Sequence, residues 1–316
     1  MYHYSHTIGM LALVSRGFSN PLDLDIDARG LLYVINRSNF HQQAISVRIN
    51  ICSADGKFIS RFSHFSAADG GLIWPTSIAI DRQGAVYVAD EHRNDIQVFS
   101  REGEYRRKWG GLGVERGKMS RPAGLGIAAD GGIFVSDQMN DRIQKFSPEG
   151  ECIWEAGGKG RGPGEMDKPW GIAEGKDGHI YVADWGNDRV QVYGPNGEYI
   201  WSFGTSGAGV GQLKRPAGIA VDGERVYVAD WGNDRVQVFG IDGTIMAALY
   251  GDADLSLRAR EWLAEEDPDM VARRQHADFD VERRFWGPTA VRVDKQGRVF
   301  VVDSCRHRIQ VYQRDN

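Results

Sequence analysis

Cysteine is scarce: three residues among 316, Cys52, Cys152 and Cys305, an odd number spread far apart. That pattern builds no disulfide framework and reads as free thiols in a reducing compartment. Long apolar runs are missing as well, since no segment approaches the roughly 18 residues a membrane-spanning helix needs. The apolar stretch Ile8–Val14 has no cationic lead, so it does not make a secretory signal. Positive charge is not in excess: 38 Lys and Arg stand against 43 Asp and Glu, a formal balance of −5. That balance gives no general reason to expect nucleic acid or an anionic lipid surface. The expectation is a cytoplasmic protein with no membrane partner. A composition of 41% hydrophobic and 26% charged residues is ordinary for a globular chain.

What the chain does have is repetition. Twelve residues, Tyr181–Val192 (YVADWGNDRVQV), recur unchanged at Tyr227–Val238. Looser copies stand at Tyr87–Val98, Phe134–Lys145 and Phe300–Val311, and a blurred first copy starts at Tyr33. Pro75, Pro122, Pro169 and Pro216 open four of the units at a constant spacing of 47 residues. A period of this size means a repeat architecture and overrides the two domains that length alone suggests. In the fourth unit, Gly171–Glu174, Ile180–Ala183, Arg189–Tyr193 and Tyr199–Phe203 read as short strands separated by turn-forming residues. Four antiparallel strands in tandem units predict an all-β, six-bladed β-propeller, one domain over residues 1–316. The last unit ends at Tyr312, after its third strand, and Gly9–Val14 is the candidate for the missing fourth. The two chain ends would then close the ring and remove its edges.

The register P-x-G-I-A … Y-V-A-D-x-x-N-x-R-I-Q-V-F resembles the NHL-repeat family of six-bladed propellers over nearly the whole chain. The resemblance implies the fold but not one function, because members include interaction modules, RNA-binding faces and a zinc lyase. The zinc-dependent amidating lyases of this fold carry histidines just after the blade prolines. Here those positions hold Leu22, Thr76, Ala123, Trp170, Ala217 and Thr289, which argues against that metal site.

Several signals have plain structural readings. Gly157–Gly164 lacks a Gly-Lys-Ser/Thr ending and no helix follows, so it reads as a connection between blades and not as a phosphate loop. Asp90, Asp137, Asp184, Asp230 and Asp303 form a ring, one in each unit but the first, where Asn36 replaces it, and read as acceptors for their own loops and partners of nearby arginines, not as a metal crown. Arg121, Lys168 and Arg215 before the prolines, with Trp185 and Trp231 nearby, carry the chemistry of a base-stacking face, against an acidic overall charge.

Departures from the repeat carry the functional reading. After the second strand, unit 2 has Glu91, His92, Arg93 and Asn94, and unit 6 has Ser304, Cys305, Arg306 and His307. In unit 1 the loop expands through Asn36, Arg37 and His41. Ring closure makes these three blades neighbours. The small residues of the first strand are replaced there too, by Asp23 and Asp25 in unit 1 and by Arg292 in unit 6, predicting an Asp25–Arg292 ion pair at the channel wall. Pro216 to Pro288 spans 72 residues, 25 beyond the period. The extra segment, about 252–285, reads as a helical lid: one helix over 255–265 and a second with Asp267 as N-cap and Pro268 at its first position.

The resulting expectation is a lidded pocket for an anionic or polar small molecule, with acid–base hydrolase or lyase chemistry. His92, His307 and Asp23 would be catalytic; Arg37, His41, Arg93, Arg306, Arg292, Asp25, Trp74 and Trp286 would bind the ligand. No cofactor is expected, although the histidines leave zinc open, as the carboxylates do calcium. The competing reading is a non-catalytic adaptor gripping a protein or RNA partner with the same face.

Overall fold

A computed structural model describes residues 1–12, 16–37, 46–266 and 280–315. Blade 1 comprises β2 (Pro21–Ile26), β3 (Leu32–Asn36), β4 (Arg48–Cys52) and β5 (Phe58–Phe62), with β1 (Tyr2–Ile8) preceding it. Blade 2 comprises β6 (Pro75–Ile80), β7 (Val86–Asp90), β8 (Asp95–Phe99) and β9 (Tyr105–Gly110). Blade 3 follows with β10 (Pro122–Ile127), β11 (Ile133–Asp137), β12 (Arg142–Phe146) and β13 (Cys152–Gly157). Blade 4 has β14 (Pro169–Glu174), β15 (Ile180–Asp184), β16 (Arg189–Tyr193) and β17 (Tyr199–Phe203). A short parallel pair, β18 (Thr205–Ser206) and β19 (Gln212–Leu213), leads to blade 5: β20 (Pro216–Asp222), β21 (Arg225–Asp230), β22 (Arg235–Gly240) and β23 (Ile245–Leu249). After α1 (Leu257–Glu266) and α2 (Asp280–Arg283), blade 6 adds β24 (Pro288–Val293), β25 (Arg298–Asp303) and β26 (Arg308–Arg314), and β1 is its fourth strand.

Every blade is thus a four-stranded antiparallel sheet, and the innermost strands follow one another around a closed ring. The second and third strands are rich in β-branched and aromatic residues and are buried on both faces, because each blade is covered by a neighbour on either side. The core is accordingly split into six clusters, one per blade interface; Tyr181, Val190, Val192, Ile219, Val226 and Val228 fill that between blades 4 and 5. At the ring's centre the backbones themselves meet. A Cβ added to Gly218 would lie 2.6 Å from Ala290 Cα, and Gly124 and Gly171 face the next blade's main chain as closely.

The ring closes through the N-terminus, as the sequence predicts, but with a different segment. Tyr2–Ile8, not Gly9–Val14, pairs with β26, in the register Tyr4↔Tyr312 and Ile8↔Ile309. Tyr2 and Tyr4 set their ring edges against Tyr227 and Tyr312, and Ile8 enters the core. Gly9, at φ +88° and covered by Phe18, then ends the strand. The residues after it form an inter-blade connection of the usual kind: Phe18 N donates to Met10 O at 2.9 Å, as Met119 N does to Gly111 O. The helix expected over 255–265 is α1; the one expected from Asp267 lies outside the described residues.

Candidate functional site

The loops on the proline face are organised by a ring carboxylate in blades 2 to 6 and by Asn36, which accepts from Ser19 N at 2.9 Å, in blade 1. Asp184 accepts from Asp167 N at 2.8 Å, Asn187 Nδ2 at 2.9 Å, Arg189 Nε at 2.9 Å and Gln191 Nε2 at 3.1 Å. Asp137 and Asp230 repeat the set, and Asp303 repeats all of it but the asparagine contact. Burial raises the carboxyls of Asp137, Asp184 and Asp303, against the amide, side-chain and arginine donors that favour the ionised form. These aspartates tie loops together. Among the described residues no group of three or more His, Cys, Asp or Glu side chains could hold a metal ion.

The position four residues after each ring aspartate forms the latch to the next blade. Asn94, Asp141, Asp188 and Asp234, all at positive φ, accept from the main-chain N–H of Arg121, Lys168, Arg215 and Gly287 at 2.7–2.9 Å. His307 occupies this position in blade 6, at φ +55°, and its Nδ1 takes the N–H of Asn20 at 2.9 Å. As an acceptor this nitrogen must be unprotonated, and burial lowers the imidazole's pKa accordingly. His307 is therefore the latch between the last blade and the first.

Arg93 and Arg306 also stand in for a repeat residue. Asn140, Asn187 and Asn233 donate to carbonyls of their own blade connections at 2.9 Å. Arg93 Nη1 reaches Ala67 O at 2.7 Å and Arg306 Nη2 reaches Val281 O at 2.6 Å, making that contact in connections of different shape. Blade 2 swaps charges as well, with Arg93 Nε on Asp95 where blades 3 to 6 pair the ring aspartate with a later arginine. Three of the divergent residues, His307, Arg93 and Arg306, are thus committed to loop structure.

Alongside these tethers, and sharing Arg306 with them, runs a band of indoles carrying cations. Arg37 lies over Trp74 at 5.0 Å and pairs with Glu91 at 2.7 Å, while the exposed His92 meets Trp74 edge-on at 5.6 Å. Arg215 lies between Trp185 (4.9 Å) and Trp231 (6.0 Å), with Lys168 also over Trp185 at 5.8 Å. Arg306 covers Trp286 at 5.7 Å. Trp286 is 55% exposed and borders a cleft of about 580 Å³ with Tyr250, Val281, Arg284, Phe285 and Arg306; neither His92 nor His307 lines it. Cys305 is exposed beside it, and its thiol is pushed up by burial and by Asp303 and Asp234, the reverse of an activated nucleophile. His41 lies outside the described residues.

Asp23, Asp25 and Arg292 lie further down the inner strands. Asp23 accepts from Ser77 Oγ at 2.6 Å, Ile78 N at 3.1 Å and Leu24 N at 2.9 Å, and Arg292 Nη2 is 3.1 Å away. The expected Asp25–Arg292 pair is present but looser, at 3.8 Å. The channel at this level holds a cavity of only about 20 Å³, room for a single water. Asp25 and Arg292 instead line a second cavity at the turn end of the strands, with Asp27, Arg82 and Lys295. The predicted site is therefore divided between the two faces. Sequence comparison overlooked the latch, although the series Asn94, Asp141, Asp188, Asp234 and His307 at one repeat position was its signal.

Fold and site together define a six-bladed β-propeller closed non-covalently by its two chain ends. The NHL-repeat family profile matches residues 72–99, 166–193, 213–239 and 285–312, which lie in blades 2, 4, 5 and 6; the chain is a six-bladed propeller with NHL repeats in four of its blades. No curated protein sequence matches it. Among solved structures it is similar to a streptogramin B lyase (13% identity, 99% of this chain and 97% of that one, TM-score 0.60). It is similar also to virginiamycin B lyase from Staphylococcus aureus, in a catalytically inactive form with quinupristin (12% identity, all of both chains, TM-score 0.61). A Bacteroides thetaiotaomicron protein of unknown function matches at 16% identity over 99% of this chain and 76% of that one, TM-score 0.66. At these identities the likeness is one of fold.

Proposed function

We propose that this chain is a binding propeller that holds a protein partner across its proline face, with the indole–cation band as the grip. The observation that carries this reading is the set of stacked pairs on one face: Arg37 on Trp74, Lys168 and Arg215 on Trp185, Arg215 on Trp231, and Arg306 on Trp286. Tryptophan and arginine are the residues most enriched at the energetic centres of protein interfaces, where a rigid ring supplies area and a guanidinium supplies directed donors. A cation held flat against an indole has already lost rotamer freedom, so less is lost on binding. The partner that fits carries carboxylates beside apolar side chains. Three free thiols suit a reducing compartment, and we place the interaction in the cytosol.

Acid–base turnover of a small molecule on this face has less support. His307 Nδ1 is occupied as an acceptor, and Arg93 and Arg306 are bound to main-chain carbonyls. The test is cross-linking of the intact chain to its partner, followed by calorimetric titration of that pair. Trp185→Ala and Trp231→Ala should each weaken binding by about 2 kcal/mol or more, the scale of interface hot spots, with melting temperatures nearly unchanged. Binding untouched by both changes would refute the reading. Saturable binding of a mixed-sequence RNA oligonucleotide that both changes abolish would transfer the face to nucleic acid.

A further inference from the structure

The opposite face carries a cavity of about 420 Å³ over the seam of blades 6, 1 and 2. Its rim is formed by the turns joining the first and second strands of those blades. Comparing the six turns with one another exposes an asymmetry. Blades 3, 4 and 5 place acids there, Asp130, Asp177 and Glu224, with Lys176 the one cation. Blades 1, 2 and 6 place Arg29, Arg82 and Lys295 there, and their only acids are the aspartates that open the turns. Those aspartates are committed: Asp81 Oδ1 accepts from Gln83 N and Ala85 N, Asp294 Oδ1 from Gln296 N and Arg298 N, and Asp27 from Arg29 and Leu31. Arg29 is paired with Asp27 at 2.8 Å. Arg82 and Lys295 are exposed and make no hydrogen bond or ion pair among the described residues.

The floor supplies the complementary groups. Arg292 gives Nη1 to Val291 O at 2.9 Å and Nη2 to Asp23 at 3.1 Å, while its Nε, 3.8 Å from Asp25, is beyond hydrogen-bond range. A guanidinium has five N–H groups, so donors remain for a ligand above it. Asp25 accepts one amide on each oxygen, Ile26 N at 2.9 Å and Ile80 N at 2.7 Å, which leaves a lone pair on each. Five cations and four carboxylates line the cavity, a near balance that suits a zwitterion or a monoanion better than a polyanion.

We propose that this cavity binds a small carboxylic acid with a hydrogen-bond donor on the adjacent carbon, an α-amino or α-hydroxy acid, its carboxylate on Arg82, Lys295 and Arg292 and its donor on Asp25. The site is independent of the proline face. Burial, opposed by Arg292, raises the Asp25 carboxyl to about 6, so this acceptor is ionised above that pH and binding of the amino form weakens as pH falls through it.

The test is calorimetric titration of the intact chain with L-alanine, L-leucine, L-lactate and propionate at millimolar concentration. Saturable binding of an amino acid or of lactate, about tenfold or more tighter than propionate, is expected, and which of them binds decides between the amino and hydroxy forms. Arg82→Ala and Lys295→Ala, both on exposed turns, should each weaken that binding about tenfold, the scale of a lost charge-assisted contact. Asp25→Asn should erase the preference over propionate, with a melting curve confirming that the variant folds. No saturable binding of any of these acids, equal binding of propionate, or binding indifferent to Arg82→Ala and Lys295→Ala would overturn the proposal.

Discussion

A histidine at position 307 takes the part played elsewhere in the ring by aspartate or asparagine, and it makes the seam sensitive to acid. An imidazole whose folded pKa lies below its unfolded value leaves the unfolded chain binding more protons as pH falls. Its contribution to stability is therefore complete above the unfolded value of about 6.5 and is lost below it. Protonation also turns Nδ1 from an acceptor into a donor facing the Asn20 N–H. His307→Asn, the residue of blade 2 at this position, keeps the acceptor and suits the positive φ. Urea titrations of both proteins between about pH 7 and pH 5 should show the wild type losing stability relative to the variant. Parallel pH profiles would show that the latch contributes nothing. The replacement of a repeat residue by His307, Arg93 or Arg306 was legible in the sequence; what it meant was not. A divergent residue can be a new function or an old contact remade, and only the placement of Ala67 O, Val281 O and Asn20 N tells the two apart.

At the level of strands and loops, much follows directly from alternation and turn chemistry. The expected Arg189–Tyr193 and Tyr199–Phe203 coincide with β16 and β17, because a short alternating segment bounded by turn-forming residues has one consistent reading. The closing strand was displaced for an equally physical reason. Gly9–Val14 looks like a strand from its apolar content, yet Tyr2, Tyr4 and His6 are partly covered and alternate with exposed His3 and Ser5, and the two tyrosines find aromatic partners on blades 5 and 6. The inner strands offer the sharper test. Gly218 lies against the main chain of β24, with Thr289 O 2.7 Å from an added Cβ. Gly218→Ala must push two blades apart at the axis and should cost about 1–3 kcal/mol, the usual penalty of overpacking, measured by urea denaturation. A neutral result would mean that the ring yields at its centre.

For the molecule as a whole, stability is shared among six interfaces of one kind, and β1, the outer strand of blade 6, packs into the two that flank that blade. Removing residues 1–8 leaves β26 as an unpaired edge and empties the Ile8 position in the core. The shortened chain should lose at least the about 2–5 kcal/mol of a large buried aliphatic side chain and should self-associate through the open strand. Light scattering and thermal melting would register both effects. A monomer with the parent's melting temperature would show that the clasp is dispensable. The two faces also follow from this ring: every blade presents its proline loops at one end and its first turn at the other, so unequal blades 6, 1 and 2 mark both ends at once.

The pairing of Tyr4 with Tyr312 has a consequence for biosynthesis. Within the propeller, β1 is made before every blade and must wait, through the making of five of them, for its partner β26. Until then the nascent chain carries two sticky margins, one at its leading end and one on the blade most recently finished. Polyproteins, fusions and stalled translation products that delay residue 312 prolong that interval, and misassembly between neighbouring chains on one message becomes the characteristic hazard of this architecture.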